Sequence, residues 1–348
     1  MKIFYAVQAT GNGHISRAAT LLPYLSAYGK VDVFLSGNNY ALKSDLPVAY
    51  RSKGLSLHYN KKSGAVDIWD TFKQASFRKV WNDAKYLPID NYDLIINDFE
   101  CITSLACKIK KRPSIQFGHQ ASFKSPLVPR PSKRDHFGEF VLSNYSQSTA
   151  YLGLHFRQFD DFICEPIIKP SILESRPVDQ GHITVYLSHV ADEIQTKTFR
   201  ELKKFVFHIF TSSVSAPYSE DNIRYFPVNQ DMFSHSMINS FGVITGAGFE
   251  TPAEALYLGK KLMIFPMKGQ YEQACNAAAL EAYGVHILPN FDSFFPVYFN
   301  KWIFESKVLP LHLTMSNASI VERLFNLQSK IVKLHQEEKP FRFDAAAF

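Results

Sequence analysis

Residues 243–285 are V-I-T-G-A-G-F-E-T-P-A-E-A-L-Y-L-G-K-K-L-M-I-F-P-M-K-G-Q-Y-E-Q-A-C-N-A-A-A-L-E-A-Y-G-V. They contain an apolar run that ends at Thr245, a turn with Gly246 and Gly248, and then a helical pattern. A second apolar run, residues 262–265, precedes another helical pattern. Buried strands that alternate with helices through short glycine turns are typical of a parallel α/β sheet.

The same alternation extends along most of the 348 residues. In the first half the predicted strands are residues 2–7, 31–35, 55–59, 94–97, 114–117 and 151–154. In the second half they are residues 183–187, 205–209, 223–226, 242–245 and 262–265. Helices are expected near residues 15–28, 69–86, 100–109, 136–147, 193–204, 231–238, 252–258 and 270–283. We therefore expect two doubly wound α/β domains, residues 1–165 and 166–315, followed by a C-terminal helix and tail, residues 316–348, that can pack back on the first domain.

The excess of positive charge lies in the first half. Residues 1–165 carry 21 Lys and Arg against 14 Asp and Glu, a balance of +7, whereas residues 166–348 carry 17 against 18, a balance of −1. No signature of a nucleic-acid-binding module accompanies the basic half, so nucleic acid is not an expected partner. Because no run of 18 apolar residues occurs and the four cysteines lack metal-binding spacing, we expect a cytoplasmic protein with reduced thiols.

The turn at residues 245–248 is suited to an anion. Backbone N–H groups at a glycine turn and the positive end of the following helix dipole favour a group such as a diphosphate. Glycines after a strand also occur in doubly wound turns that hold no phosphate. Glu254, on the first turn of the helix, completes a capping box with Thr251, so on its own it is explained by helix capping.

In combination, these residues resemble the donor site of glycosyltransferases with the GT-B fold, in which two Rossmann-like domains face each other across a cleft. The narrower resemblance is to the UDP-glycosyltransferase and glycosyltransferase family 28 group, which includes the peptidoglycan N-acetylglucosaminyltransferase and implies a role in cell-envelope glycans. The pieces Asp98-Phe99-Glu100 and Gly118-His119-Gln120 resemble an uncharacterised bacterial and archaeal subgroup.

The resemblance implies roles for individual residues. Glu254 would bind ribose hydroxyls, which suits a carboxylate facing a vicinal diol. Glu272 and Gln273 would bind the donor sugar, and Phe226 and Val228 would flank the base, although a plain buried strand end explains them equally. The remaining donor residues are Thr245, Gly246, Ala247, Gly248 and Ser188. Ser188 is a departure from the family, because close relatives often carry a glycine-rich loop where this chain has Leu187-Ser188-His189.

The second glycine turn, in Q-A-T-G-N-G-H-I-S-R-A at residues 8–18, follows the first predicted strand. It therefore lies at the carboxyl edge of the sheet, where open α/β sheets bind ligands. His14 would begin the helix, and the helix dipole favours its neutral, basic form. The resemblance implies that His14 deprotonates the acceptor; a surface or capping histidine is the alternative. The other residues assigned to the acceptor side are Gly11, Asn12, Gly13 and His119.

Asp98 and Glu100 follow the fourth predicted strand of the first half. If this edge lies near the first turn, Asp98 can accept from one ring nitrogen of His14 and fix its tautomer. Glu100 is the alternative base. Capping of the next helix by Asp98, with Glu100 in its first turn, explains the same residues without catalysis.

The expected function is inverting, metal-independent transfer of a sugar from a nucleotide-diphospho-sugar, with UDP as the expected nucleotide, to a small-molecule or lipid-linked acceptor. No cofactor is expected. Two alternatives remain open: an epimerase or hydrolase of nucleotide-sugars, and a non-catalytic protein that binds a nucleotide-sugar or glycolipid. The basic first half favours an anionic acceptor or an anionic membrane surface. The segment from Lys124 to Arg134 carries four basic residues around Leu127 and Val128, which suits peripheral membrane contact or a solvated loop.

Overall fold

The computed structural model describes residues 1–37, 45–54, 58–59, 66–67 and 77–337. Its first sheet has seven parallel strands in the order β3-β2-β1-β6-β7-β8-β9. They are β1 Lys2–Gln8, β2 Lys30–Ser36, β3 Val48–Ser52, β6 Leu94–Asp98, β7 Ile115–Gly118, β8 Ala150–Leu154 and β9 Ile163–Cys164. The short strands β4 His58–Tyr59 and β5 Val66–Asp67 form a separate antiparallel pair.

The second sheet also has seven strands, in the order β12-β13-β11-β10-β14-β15-β16. They are β10 His182–Tyr186, β11 Val206–Thr211, β12 Tyr218–Glu220, β13 Ile223–Pro227, β14 Gly242–Gly246, β15 Lys261–Phe265 and β16 His286–Ile287. All neighbours pair in parallel except β12, which is antiparallel to β13 at one edge. The predicted α/β class is therefore confirmed in both halves.

Helices cover the faces of the sheets. They are α1 Asn12–Ser26, α2 Phe77–Tyr86, α3 Cys101–Lys110, α4 His136–Asn144, α5 Pro170–Leu173, α6 Asp192–Arg200, α7 Gln230–Ile238, α8 Glu250–Tyr257, α9 Tyr271–Leu280, α10 Phe295–Glu305 and α11 Asn317–Glu337. The central strands are buried on both sides: five successive apolar residues of β1, from Ile3 to Val7, have no exposed surface. Such continuous apolar runs are what a parallel sheet with two covered faces requires.

The strand predicted at residues 55–59 is wrong as a member of the main sheet. Residues 55–57 lie outside the described residues, and His58–Tyr59 pair only with β5. The edge position belongs to β3, whose residues alternate between exposed and half-buried and so lack the apolar run that marks a central strand. Of the helix predicted at residues 69–86, residues 69–76 lie outside the described part, and the rest contains α2.

Contacts join the end of the chain to the first half. Phe325 of α11 stacks on Tyr28, with ring centroids 3.8 Å apart, and Gln328 Nε2 donates to the carbonyl of Asp93 at 2.9 Å. The backbone N–H groups of Thr314 and Met315 donate to Glu165 Oε2. Within the described residues, no helix has both the length and the apolar character needed to cross a membrane.

The order of the strands determines where a crevice forms at the edge of each sheet. In the first sheet the order reverses between β1 and β6, and in the second it reverses between β10 and β14. Loops on the two sides of such a reversal run to opposite faces of the sheet, so a crevice opens at the carboxyl ends of these strands. The residues after β1, β6, β10 and β14 are therefore the ones positioned to form a site.

Candidate active site

A cavity of about 250 Å³ lies between the two sheets and is lined by residues from both. We call it the cleft cavity. Its described lining from the first half is Gln8, Thr10, Gly11, Asn12, Gly13, His14, Arg17, Phe99, His119, Gln120, Val141 and Tyr145. From the second half it is Tyr186, Ser188, His189, Thr245, Gly246, Gly248, Phe249, Glu250, Thr251, Pro252, Gln270, Glu272 and Gln273. The two glycine turns singled out in the sequence thus meet at one cavity.

A smaller pocket of about 90 Å³ shares five residues with the cleft cavity: Asn12, Gly13, Tyr186, Glu250 and Thr251. We call it the side pocket. Its other described residues are Ser16, Lys169, Phe210, Val228, Asn229, Gln230, Phe233 and Glu254. One part of this lining is apolar and aromatic, and another carries the charges of Lys169 and Glu254.

His14, Arg17 and Asp98 form a cluster at the carboxyl ends of β1 and β6. His14 Nδ1 lies 3.1 Å from Asp98 Oδ1, which confirms the predicted contact. Arg17 Nη2 donates to both oxygens of Asp98, at 2.7 and 2.8 Å, and lies 2.9 Å from His14 Nδ1. Asp98 is fully buried and Arg17 is 3% exposed, so the cluster lies in the wall of the cavity rather than in solvent.

The neighbours of His14 indicate which ring nitrogen carries the proton. At Nδ1 the two neighbours act in opposite directions: the Asp98 carboxylate at 3.1 Å can only accept and favours hydrogen on Nδ1, whereas Arg17 Nη2 at 2.9 Å can only donate. On the other side, Gln120 Nε2 lies 3.4 Å from His14 Nε2 and donates to Glu272 Oε2 at 3.0 Å. The Gln120 amide therefore presents N–H toward Nε2, which favours hydrogen on Nδ1 and a lone pair on Nε2. An acceptor hydroxyl has to replace this long 3.4 Å contact in order to reach Nε2.

Asp98 remains a carboxylate despite its burial. Burial alone would raise the pKa of Asp98, but the attraction of Arg17 and then of His14 outweighs it and holds the pKa below its ordinary value. Arg17 and His14 thus both face the buried negative charge of Asp98. An ionised Asp98 is what fixes the orientation of an imidazole base.

Arg17 also bridges the two halves of the molecule. Its Nη1 donates to Glu250 at the start of α8, and this ion pair crosses the cleft. Gly13 makes room for the contact, since a Cβ atom at residue 13 would lie 2.5 Å from Glu250 Oε2. Neither Arg17 nor Glu250 was assigned from the sequence. The signal for Arg17 was its position three residues after His14, which places both on one face of α1.

The turn after β14 offers backbone rather than side chains. Thr245, Gly246 and Gly248 line the cleft cavity, whereas Ala247 is turned into the core and its carbonyl accepts from Asn276 Nδ2 at 3.0 Å. The side chain of Ala247 therefore does not face the cavity, and a contact of Ala247 with a donor would come from its backbone N–H. No side chain caps the N-terminus of α8, so its first N–H groups are suited to an anion.

Glu254 is not part of a capping box. Helix α8 begins at Glu250, one residue ahead of Thr251, so Thr251 is inside the helix. Glu254 is 2% exposed, lines the side pocket, and accepts from Lys169 Nζ at 2.9 Å. Because Lys169 precedes Glu254 by 85 residues, no local pattern pointed to it.

The aromatic wall of the side pocket differs from the prediction. Val228 lines the pocket, but Phe226 does not. Phe226 instead stacks behind Phe210, with ring centroids 4.9 Å apart, and it is Phe210 and Phe233 that face the pocket. Phe210 and Phe226 are paired across the neighbouring strands β11 and β13, so their rings lie on the same face of the sheet, and Phe210 occupies the place at the pocket that was assigned to Phe226.

Glu272, Gln273 and Ser188 all line the cleft cavity. Both ends of the Gln273 amide are engaged within the protein: Oε1 accepts from the N–H of Met267 and Nε2 donates to Gln270, each at 2.8 Å. Ser188 is exposed. Beside it, His189 approaches the turn at Gly246, and burial lowers the pKa of His189, so this loop supplies a neutral imidazole where the family resemblance predicts glycines.

Glu100, predicted as the alternative base, has a structural role instead. Glu100 caps α3, accepting from the N–H groups of Ile102 at 2.8 Å and Thr103 at 2.6 Å. It is fully buried and does not line the cavity, so its assignment as the alternative base is wrong, and so is capping by Asp98. Burial raises the pKa of the Glu100 carboxyl in spite of these bonds.

His119 lines the cavity, but its ring joins the two halves rather than facing an acceptor. It is fully buried, stacks on Phe249 with centroids 4.0 Å apart, and contacts Asn276 Oδ1 through Nε2 at 2.7 Å. Its Nδ1 is 2.9 Å from the carbonyl of Leu154. With both nitrogens engaged, His119 is a poor candidate for contact with the acceptor. Gly11, Asn12 and Gly13 line the cavity as predicted, and Asn12 Nδ2 donates across it to the Tyr186 hydroxyl at 2.8 Å.

No metal centre accompanies these residues in the described part of the chain, where no group of three or more His, Cys, Asp or Glu side chains is arranged to hold an ion. The charges that face an incoming ligand are those of the protein side chains. In the two pockets together, the Lys and Arg residues among the described lining are Arg17 and Lys169, and both are paired with carboxylates.

Comparisons with known proteins agree with this geometry. The family model described as Glycosyl transferase family 1 matches residues 1–294. No curated protein is significantly similar to the chain in sequence. The spinosyn forosaminyltransferase SpnP superposes with a TM-score of 0.54 at 13% identity, over 94% of this chain and 99% of that chain.

Two further solved structures have the same architecture. UGT2 of Phytolacca americana, complexed with UDP-2fluoro-glucose and pterostilbene, gives a TM-score of 0.56 at 13% identity, over 94% of this chain and 98% of that chain. The glycosyltransferase SnogD from Streptomyces nogalater gives 0.50 at 14% identity, over 96% and 99%. The GT-B prediction is confirmed, while the narrower resemblance to family 28 stays a prediction. The chain belongs to Glycosyl transferase family 1 and is a glycosyltransferase with the GT-B fold.

Proposed function

We propose that the protein catalyses inverting, metal-independent transfer of a sugar from a nucleotide-diphospho-sugar, with UDP as the nucleotide, to a hydroxyl of an acceptor bound in the cleft cavity. One observation carries the proposal: His14, which contacts Asp98, lines the cleft cavity from the first half of the chain, and the uncapped N-terminus of α8 lines it from the second half. A base for the acceptor and an anion site for the leaving group are the two parts that such a transfer needs.

The donor would lie along the second half. The uracil base of the donor would occupy the side pocket against Phe210, Val228 and Phe233. The ribose diol of the donor would hydrogen-bond to Glu254. The diphosphate would bind the N–H groups of the turn at Gly246–Gly248 and of α8. The choice of UDP is supported by the UDP-2fluoro-glucose bound to the Phytolacca americana relative, which has the same fold.

The chemical step follows from these positions. His14 Nε2 would accept the proton of the acceptor hydroxyl while the oxygen of that hydroxyl bonds to the anomeric carbon of the donor sugar. The bond from that carbon to the diphosphate oxygen would break on the opposite face, which inverts the configuration. General-base catalysis of this kind contributes about 10²- to 10⁴-fold in rate. The fixed N–H dipoles of α8 would stabilise the charge of the departing diphosphate without a metal ion.

The test begins with binding. UDP-, GDP- and dTDP-sugars are titrated into the protein by calorimetry, and turnover is then measured with and without acceptors in the presence of EDTA. We expect a UDP-sugar to bind and transfer to persist in EDTA. Isomerised or free sugar formed from donor alone would indicate an epimerase or a hydrolase instead. Donor binding without turnover on any acceptor would indicate a non-catalytic binding protein.

We also propose that this enzyme contacts an anionic membrane peripherally. The contact surface would include only some of residues 124–134, together with Phe137 and Phe140. Val128 is buried, and Lys124 and Arg130 are bonded internally to Ser143 and Glu139. The exposed residues of this surface are Leu127, Lys133, Arg134, Phe137 and Phe140. An apolar group beside basic residues suits the interface of an anionic bilayer. Pelleting with phosphatidylserine vesicles should be lost in Leu127→Asp; pelleting equal to that with neutral vesicles would contradict the proposal.

A further inference from the structure

Two buried amide oxygens in the cleft cavity await a hydrogen-bond donor. Gln8 is 3% exposed and Gln120 is 4% exposed, and both line the cavity. Among the residues that the structure describes, none donates to Oε1 of either side chain. A buried acceptor without a partner costs about 1–3 kcal/mol, so such atoms occur mainly where a ligand satisfies them.

The orientation of the Gln120 amide is set by its other end. Gln120 Nε2 donates to the Glu272 carboxylate, which can only accept, so Gln120 cannot turn its oxygen that way. The side chain of Gln8 hydrogen-bonds to Tyr145. Both Oε1 atoms therefore remain acceptors, and the ligand that satisfies them has to bring hydrogen-bond donors. Hydroxyl groups meet that requirement.

The charges around these amides disfavour an anionic ligand at this place. Among the described lining of the cleft cavity, Arg17 is the single Lys or Arg, and its guanidinium already bonds to Asp98 and Glu250. Glu272, which accepts from Gln120, places a carboxylate directly beside one of these amides. The first half is basic overall, but this part of it is not, so the expectation of an anionic acceptor group is not supported here.

An aromatic surface completes the arrangement. Phe99 lines the cavity next to Tyr145, with ring centroids 5.0 Å apart. Its backbone has φ = 56°, a left-handed conformation that is costly for a residue with a side chain. This strained conformation lies between Asp98, which orients His14, and the helix-capping Glu100. The apolar ring of Phe99 lines the same cavity as Gln8.

We propose that the acceptor group bound in the cleft cavity is a neutral pyranose, so that the enzyme joins a sugar to a sugar. The inference rests on the proposed function and names the substrate class of that same site. The C–H face of the pyranose would pack on Phe99, and its hydroxyls would donate to Gln8 and Gln120. The hydroxyl nearest His14 Nε2 would be the one that is glycosylated. A flat apolar acceptor would leave both amides unpaired.

The test uses saturation-transfer NMR with methyl glycosides of common hexoses and N-acetylhexosamines, and with 4-methylumbelliferone as a flat apolar probe. Each is added to the full-length protein loaded with UDP-2-fluoroglucose, so that the donor-sugar position is occupied. We expect glycosides to bind and their affinity to fall about tenfold or more in Gln8→Leu and in Gln120→Leu. Gln180→Leu, at an exposed position, is the matched control and should bind as the wild type does.

Three results would overturn the proposal: no glycoside binds, UDP-2-fluoroglucose displaces the glycoside, or both cavity variants bind glycosides as tightly as the control. Thermal unfolding of each variant shows that it is folded, and the two glutamines provide independent variants should one fail. The signal of UDP-2-fluoroglucose itself reports on the donor. Its absence beside a positive glycoside signal would contradict the UDP part of the proposed function and leave the pyranose site supported.

Discussion

The glycine turn after β1 and the glycine turn after β14 occupy corresponding places in the two sheets, yet they present different chemistry to the cavity. The first turn leads into α1, which carries His14 and Arg17 against the buried Asp98. The second leads into α8, where the lining is Gly246, Gly248 and uncapped backbone, and Ala247 is turned into the core. One turn positions groups that can exchange a proton, and the other positions dipoles that cannot.

This difference suggests a division of labour. Proton transfer needs a titratable side chain held in one tautomer, whereas stabilising a diphosphate needs fixed partial charges that do not change during the reaction. The predictions below separate the two turns by asking which of rate, donor affinity and stability each one controls.

The largest effect is expected at the first turn. Replacing His14 by alanine removes the proton acceptor, so kcat should fall about 10²- to 10⁴-fold while the donor KM stays nearly constant. Steady-state kinetics with a working donor and acceptor measure both. The exposed His312→Ala is the control and should match the wild type. Wild-type kcat in His14→Ala would remove His14 from the mechanism.

Asp98→Asn tests the orientation of His14. The amide keeps the size of the side chain but replaces the charge that favours hydrogen on Nδ1, so kcat should fall about 10²-fold or more. Because this variant also leaves Arg17 without its main partner, its free energy of unfolding should be measured in parallel. A folded variant with unchanged kcat would show that Asp98 serves stability alone.

Glu254→Gln tests the second half of the comparison. Loss of the carboxylate weakens the bond to a ribose diol, so the donor KM should rise about tenfold with a smaller change in kcat. Lys169 then loses its ionic partner, and a Lys169→Met/Glu254→Gln double variant separates that effect from donor binding. An unchanged donor KM in both variants would mean that the ribose lies elsewhere.

A matched pair of glycines sharpens the comparison through stability. At Gly13 an added Cβ would lie 2.5 Å from Glu250, whereas at Gly11 it meets nothing within 4 Å. The atom met at residue 13 is the end of a flexible side chain that can turn aside, so Gly13→Ala should lower the free energy of unfolding by about 1 kcal/mol, and Gly11→Ala should change it by about 0.5 kcal/mol or less. Urea unfolding measures both. Equal effects would show that the close approach of Glu250 to the first turn does not exist in solution.

The smallest effect is the dependence of stability on pH. The pKa of Asp98 in the folded protein lies below its ordinary value of 3.8, so its ionised form stabilises the fold above that value. This contribution is lost as the pH falls from about 4 through the lowered pKa. The difference in free energy of unfolding between the wild type and Asp98→Asn should thus be largest near pH 7 and shrink below pH 4. A difference that grows on acidification would contradict the Arg17–Asp98 pairing.

The parts of the site that could be predicted from sequence are those encoded locally. Apolar runs predicted the central strands, and glycines after β1 and β14 predicted the turns, because each signal occupies fewer than a dozen neighbouring residues. The contact of His14 with Asp98 followed from one topological rule about the carboxyl edge of the sheet. Glu100 was misassigned because capping depends on where a helix starts, and residues on either side of that point look alike in sequence.

The missed residues are joined by contacts that sequence spacing does not reveal. Arg17 and Glu250 are 233 positions apart, and Gln120 and Glu272 are 152 apart. Each pair forms only when the two sheets face each other, so a single sequence shows the members as unrelated charged or polar residues. Phe210 was missed for a different reason: its apolar strand shows that it is buried but not which of its faces borders a pocket.

Calorimetric titration of UDP into the wild type, His14→Ala and Glu254→Gln tests the division between the two turns most directly, because it needs no acceptor. The account predicts that His14→Ala binds UDP as the wild type does, and that Glu254→Gln binds it about tenfold more weakly. Weakened binding in His14→Ala together with wild-type binding in Glu254→Gln would contradict it, since the donor would then lie on the first turn.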